Sequence, residues 1–225
     1  MKIKKLAQNT ILITLNSGKT ILIDPGKYNI DIDKYTIGSF PSADVIFITH
    51  KHADHYDLEI LKAMLLKKDS IIFTNKEING ILTREGIVSK VVSIGDDISE
   101  DGFIAKIIRT DHVVRDETII NFGIVFAADS SSFYHSSDTR YIDPSLLPNY
   151  TKTDVLFVPI SNRGVVMGID DALVFASELK PNLIIPMHYD SPKDKDRVNP
   201  IEFKTKAGNL GLKVQILSFG EEITL

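Results

Sequence analysis

The sequence contains no cysteine, which excludes disulfide staples, thiolate nucleophiles and every zinc site that needs sulfur ligands. Any metal must be held by nitrogen and oxygen. Long hydrophobic runs are lacking too. The apolar stretch from Ile11 to Leu15 is short and interrupted by Thr14, so it does not make a signal peptide, and no other run approaches bilayer-spanning length. A cytoplasmic location without membrane association is expected. No basic tail or stripe stands out, and 26 basic against 30 acidic side chains leave a net charge of −4. The electrostatic footprint of a general nucleic-acid binder is therefore missing, and nucleic acid is not expected as a partner. A local basic pocket drawn from Lys51, Arg115, Arg140 and Arg163 is compatible with that total. No Gly/Ser-rich or Pro-rich tract marks a linker, and no fixed-period repeat is visible.

Hydrophobic residues at 43% and charged residues at 25% are ordinary for a globular chain. At 225 residues, one domain spanning 1–225 is the expectation. Short β-branched runs open it: Ile3 to Leu6, Thr10 to Leu15 and Thr20 to Ile23 read as a meander, with Asn16-Ser17-Gly18-Lys19 as turn residues. The run Val45-Ile46-Phe47-Ile48-Thr49 has the continuous apolarity of a strand buried on both faces. Strands and helices then alternate. Helices are predicted from Leu58, over Lys76 to Arg84, over Asp170 to Leu179 with Asp170 as N-cap, and over Pro200 to Asn209. Strands are predicted at Ser70 to Thr74, Val88 to Val92, Phe103 to Arg109, Thr118 to Phe126, Ser132 to Tyr134, Val155 to Ile160, Leu183 to Met187, Lys213 to Leu217 and Glu221 to Leu225.

The chemistry is concentrated directly after the buried strand. Three of the six histidines fall in Thr49-His50-Lys51-His52-Ala53-Asp54-His55. Imidazole and carboxylate are the ligands that first-row divalent metals accept when thiolate is absent. Strand alternation sends His50 and His52 to one side together, and the following turn can swing Asp54 and His55 toward a neighbouring position. His112 and His188, each taken alone, read equally as ordinary core or surface histidines.

H-x-H-x-D-H after a strand resembles the signature of the metallo-β-lactamase superfamily. Thr20-Ile21-Leu22-Ile23-Asp24-Pro25-Gly26, Thr110-Asp111-His112, Phe133-Tyr134-His135-Ser136-Ser137-Asp138-Thr139 and Ile185-Pro186-Met187-His188-Tyr189 are similar to further segments of that superfamily, in its order. The last two, with Met167-Gly168-Ile169-Asp170-Asp171-Ala172, look most like its small lactonase-like branch, which contains L-ascorbate-6-phosphate lactonase. The resemblance implies an α/β fold, the αββα four-layer sandwich. It implies a first divalent ion on His50, His52 and His112, a second on Asp54, His55 and His188, and Asp138 between them. Ser137 departs from the pattern, because the family carries glycine before the bridging aspartate; a shifted backbone there would leave Asp138 on one ion. His135, on the opposite face of its strand from Asp138 by alternation, is read as lying behind the ligands or as structural. Asp24 is read either as orienting a ligand histidine or as a turn carboxylate.

Two ions of zinc or manganese, with iron also compatible, would activate a water and polarise the substrate. Asp54 would coordinate and also direct that water, and Asn162 and Arg163 could contact an anionic substrate or its oxyanion. The expected function is hydrolysis of a small ester or lactone. A phosphodiesterase is the alternative, and a non-catalytic metal-stabilised or ligand-binding module is the rival from another class. A nuclease of this type would carry an RNA-binding insertion, a flavin-linked di-iron oxidoreductase would replace His52, and a secreted β-lactamase would carry an export signal. Self-association into a homo-oligomer is left open.

Overall fold

The computed structural model describes residues 1–27, 36–147, 153–191 and 197–225. The first half runs β1 (Lys2–Lys5), β2 (Ile11–Thr14), β3 (Thr20–Ile23), β4 (Val45–Ile48), α1 (Leu58–Leu65), β5 (Ile71–Thr74), α2 (Lys76–Arg84), β6 (Lys90–Val91), β7 (Asp97–Glu100) and β8 (Phe103–Ile108). It continues β9 (Val113–Val114), β10 (Glu117–Thr118), β11 (Gly123–Ala128), β12 (Ser131–His135), β13 (Val155–Pro159), α3 (Ile169–Leu179), β14 (Leu183–Met187), α4 (Pro200–Asn209) and β15 (Glu222–Thr224). Two compact units result, one from the described residues of 1–93, 191–193 and 218–225, the other from those of 94–190 and 194–217.

The first unit is built on one sheet of order β15-β1-β2-β3-β4-β5-β6. β1 to β3 form the antiparallel meander, and β3 to β6 run parallel. β4 has a partner on each side, and all four of its residues are buried, which is why its sequence shows no alternation of polar residues. Ile46 and Ile48 pack with Ile60, Leu61 and Met64 of α1 and Ile78 and Leu82 of α2. Phe47 stacks on Phe73 at 5.1 Å between ring centroids. The helices start where side chains cap them: Asp57 accepts from Glu59 and Ile60 N–H, and Asn75 from Glu77 and Ile78 N–H.

The second unit has a sheet of order β14-β13-β12-β11-β8-β7, parallel from β12 to β14 and antiparallel beyond. Leu156, Val158 and Ile184 pack with Leu173, Phe175 and Ala176 of α3 and Phe203 and Ala207 of α4. A structural echo links the units although no repeat shows in the sequence. The Asp44 carboxylate accepts from Thr20 N–H and hydroxyl at the foot of β3 and β4, and the Asp44 carbonyl accepts from Ile71 at the start of β5. The Asp154 carboxylate does the same for Ser132, and its carbonyl for Leu183 at the start of β14.

Several sequence expectations are corrected. The strand expected over Thr118 to Phe126 is two, β10 and β11, because Asn121 turns its side chain onto the backbone, accepting from Phe122 N–H and donating to the Asp138 carbonyl. The last part, Lys213 to Leu217, forms only an isolated bridge between Val214 and Ile184. Edge strand β7 gave no signal, since Ile98 is its one apolar residue. Asp170 is not the N-cap of α3; Gly168 is, and Asp170 stands in the first turn, bonded to Lys206. A carboxylate there still complements the helix dipole. Among the described residues no helix is long and apolar enough to cross a membrane.

Candidate functional site

In the first unit, β3 and β4 run parallel and both deliver polar residues past their ends. β3 is followed by Asp24, whose φ of +55° is a left-handed conformation uncommon for a residue other than glycine. That turn points a fully buried carboxylate at the adjoining loop. It accepts from Thr49 N–H at 2.8 Å, from the Thr49 hydroxyl at 2.8 Å and from His55 Nδ1 at 2.7 Å. Gly26 follows because nothing larger fits: a Cβ there would lie 2.0 Å from the Asp54 carbonyl oxygen. Lys27 N–H on the Ala53 carbonyl and Asp57 N–H on the Pro25 carbonyl fasten the two segments.

These bonds set the histidines' tautomers. With its proton given to Asp24, the Thr49 hydroxyl accepts from His50 Nδ1 at 3.1 Å, and His50 Nε2 carries the lone pair. His50 Nε2 and His52 Nδ1 then face each other at 3.0 Å, close to the roughly 3.3 Å edge of a tetrahedron drawn with ordinary zinc–nitrogen distances. His55, 4.0 Å from His50 between ring centroids, likewise holds Nδ1–H on Asp24, so its Nε2 is unprotonated and faces Asn9 Nδ2 at 2.8 Å. Asp54 is buried and receives Gln8 Nε2 at 3.3 Å and Asn9 Nδ2 at 3.1 Å on one oxygen. Asn75, the cap of α2, ties the Thr49 carbonyl at 3.0 Å.

The second unit gathers His112, Asp138 and His188. His112 donates Nδ1–H to the Val165 carbonyl at 3.0 Å, and its Nε2 lies 3.8 Å from Asp138 Oδ2. His188 Nε2 lies 3.4 Å from the same oxygen. Ser137, where glycine was expected, takes φ +56° all the same, and its hydroxyl donates to Asn121 Oδ1 at 2.9 Å. The left-handed turn is thus kept without glycine. His188 also has a left-handed φ, of +66°. Thr139 accepts from Asp111 N–H, and Arg140 grips the Asp111 carboxylate through Nε and a terminal nitrogen.

Imidazole nitrogens aligned by buried acceptors, with carboxylates beside them, are the donor set that fits a divalent cation; His50, His52, Asp54, His112, Asp138 and His188 could hold metal ions, while His55 falls outside that set. His135 is placed differently. It lies fully buried in β12 with its ring 5.8 Å from that of Phe157. Asn162 lines a polar cavity of about 640 Å³ with Asp170, Arg197, Asn199 and Lys206, and Arg163 is exposed beside it in sequence. Sequence reasoning missed Gln8, Asn9, Asn75 and Asn121. Gln8 and Asn9 lie in the connection between β1 and β2, to which no role was assigned, and both are buried. A polar pair in so short a connection was the one signal available.

A family model described as β-lactamase superfamily domain matches residues 2–188. A UPF0173 metal-dependent hydrolase of Geobacillus thermodenitrificans is 32% identical over 205 residues, covering 85% of this chain and 86% of the relative. Among solved structures, Igni18, a metallo hydrolase of the archaeon Ignicoccus hospitalis, superposes with a TM-score of 0.78 at 23% identity, covering 100% of this chain and 97% of that one. The metallo-β-lactamase fold protein YhfI of Bacillus subtilis gives 0.77 at 14% identity, covering 99% and 98%.

Proposed function

Because the chain belongs to the metallo-β-lactamase superfamily and is a metal-dependent hydrolase of that fold, we propose that it hydrolyses a small ester or lactone with two divalent ions. The ligand assignment is the one the resemblance implies: His50, His52 and His112 for one ion, Asp54, His55 and His188 for the other, and Asp138 shared. The observation that carries it is the orientation of the imidazoles. His50, His55 and His112 each commit Nδ1–H to a protein acceptor, which makes the unprotonated Nε2 the atom that could coordinate an ion.

Bound divalent ions, zinc or manganese by preference and iron by compatibility, supply Lewis-acid polarisation and a water of lowered pKa. The chain's own work is then to hold and aim. Asp24 fixes His55 directly and His50 through the Thr49 hydroxyl. Asp54 directs the attacking water, and Asn162 and Arg163 receive the substrate's anionic end. The resemblance to the lactonase-like branch favours a small ester or lactone over a phosphodiester, and the net charge of −4 speaks against nucleic acid as substrate. The test is a screen of the reconstituted protein with lactones, aryl esters and bis(p-nitrophenyl) phosphate. Turnover of the first two classes with little of the third is expected, and preferential phosphodiester cleavage would replace this reading with its alternative.

A further inference from the structure

Asn9 sits between β1 and β2, fully buried, with one side-chain nitrogen between two of the proposed ligands. Nδ2 is 3.1 Å from Asp54 Oδ2 and 2.8 Å from His55 Nε2. A carboxylate brings no proton to such a contact, so the amide nitrogen must face Asp54, which fixes the orientation of the whole group. His55 has given its Nδ1 proton to Asp24. Its Nε2 is therefore the acceptor, and the Asn9 N–H lies along the lone pair that a metal ion would use.

We propose that Asn9 is a built-in competitor for an ion at Asp54 and His55: its amide bonds both proposed ligand atoms and must leave His55 before an ion binds there. The proposal rests on the reading of Asp54 and His55 as metal ligands. One lone pair serves one partner, and an ion at about 2.0–2.1 Å from Nε2 needs the direction now held by the N–H. The block is weak by construction. In this orientation Asn9 Oδ1 is buried with no hydrogen-bond partner among the described residues, so rotating the amide gives up its bonds to His55 and Asp54 but releases an unmet acceptor. Asp54 keeps the Gln8 amide when Asn9 turns away. Asn9 is thus a positioning residue: it bonds two polar side chains of the site and sets the metal concentration at which an ion binds there.

The experiment is a titration of metal-free protein with Zn²⁺, and separately Mn²⁺, against a chromophoric chelator, for wild type, Asn9→Ala, Asn9→Asp and His55→Gln. His55→Gln identifies the binding step that belongs to His55. Asn9→Ala is expected to tighten that step roughly 3- to 10-fold, the worth of one ordinary hydrogen bond, and Asn9→Asp, which donates nothing and adds a carboxylate oxygen, is expected to tighten it more. An unchanged or weaker step in both variants overturns the proposal and leaves the ligand reading standing. A wild type that binds no ion, or a His55→Gln that loses none, overturns the ligand reading itself. If neither Asn9 variant folds, histidine-selective ¹⁵N spectra of the metal-free wild type decide: His55 with Nδ1 protonated and Nε2 unprotonated is expected, and a protonated Nε2, onto which Asn9 could not donate, refutes the competition.

Discussion

The Asp24 carboxylate accepts the Nδ1 proton of His55 at 2.7 Å, with both side chains shielded from solvent. Through the Thr49 hydroxyl the same carboxylate reaches His50, so one acid governs the tautomers of two imidazoles. Asp24→Asn keeps the left-handed backbone, which asparagine tolerates, and removes the charge. Metal affinity should fall about 10- to 100-fold, the range typical of a partner behind a ligand histidine. Isothermal titration of metal-free wild type and variant measures it, and equal affinities would reduce Asp24 to a turn residue.

Gly26→Ala tests the seat of the ligand loop. The added methyl would fall 2.0 Å from the Asp54 carbonyl oxygen and 2.6 Å from the His55 nitrogen. Because backbone on both sides must move, a loss of about 3 kcal/mol or more is expected, above the usual range for a buried added methyl. Metal binding should weaken with it. Urea unfolding reports the first quantity; a stability within about 0.5 kcal/mol of wild type would show that the loop yields easily.

A third prediction concerns acid sensitivity far from the ligands. Burial works to raise the Asp44 carboxyl, but the hydrogen bonds from Lys68 and Thr20 overcome it and hold it down to about 2. A carboxylate depressed below its unfolded value of about 3.9 stabilises the fold above that value. Its contribution is complete above roughly pH 4 and is lost as pH falls toward about 2. Partly exposed and screened, it is worth about 1 kcal/mol. Asp44→Asn should lower stability by that amount at neutral pH and flatten the dependence between pH 4 and 2. Denaturant midpoints at both ends of that window check it, and parallel curves for the two proteins would contradict it.

His135 separates ligands from their surroundings. It packs in β12 against Phe157, so His135→Gln is expected to keep its metal and change activity by no more than the roughly 10- to 100-fold of an indirect effect. His52→Gln, in contrast, removes an imidazole nitrogen 3.0 Å from His50 Nε2 and should lose an ion. Metal analysis of both variants after identical reconstitution decides; equal losses would place His135 among the ligands.

Much of this was legible in the sequence because the relevant patterns are local. The uninterrupted apolarity of Val45 to Ile48 follows from pairing on both sides, and the α2 and β14 boundaries, Lys76–Arg84 and Leu183–Met187, coincide with the expected ones. What escaped depends on long-range partners. Asn121 breaks a strand to hold the Asp138 carbonyl, 17 residues on, and Asn9 turns inward to Asp54, 45 residues away. Neither partner is visible from local periodicity. The glycine-to-serine departure at Ser137 was visible, but its outcome was not, because the left-handed φ is accompanied by a hydrogen bond to Asn121, 16 residues away.

The central claim is that this set of His and Asp side chains binds two divalent ions and that hydrolysis depends on them. The most direct test is inductively coupled plasma mass spectrometry on the reconstituted wild type and on Asp138→Ala, with lactone turnover measured on the same samples. The account predicts close to two ions per wild-type chain, and in the variant a weakened second ion with most turnover lost. Less than half an ion per folded wild-type chain, or a variant equal to wild type in both metal and turnover, would contradict it.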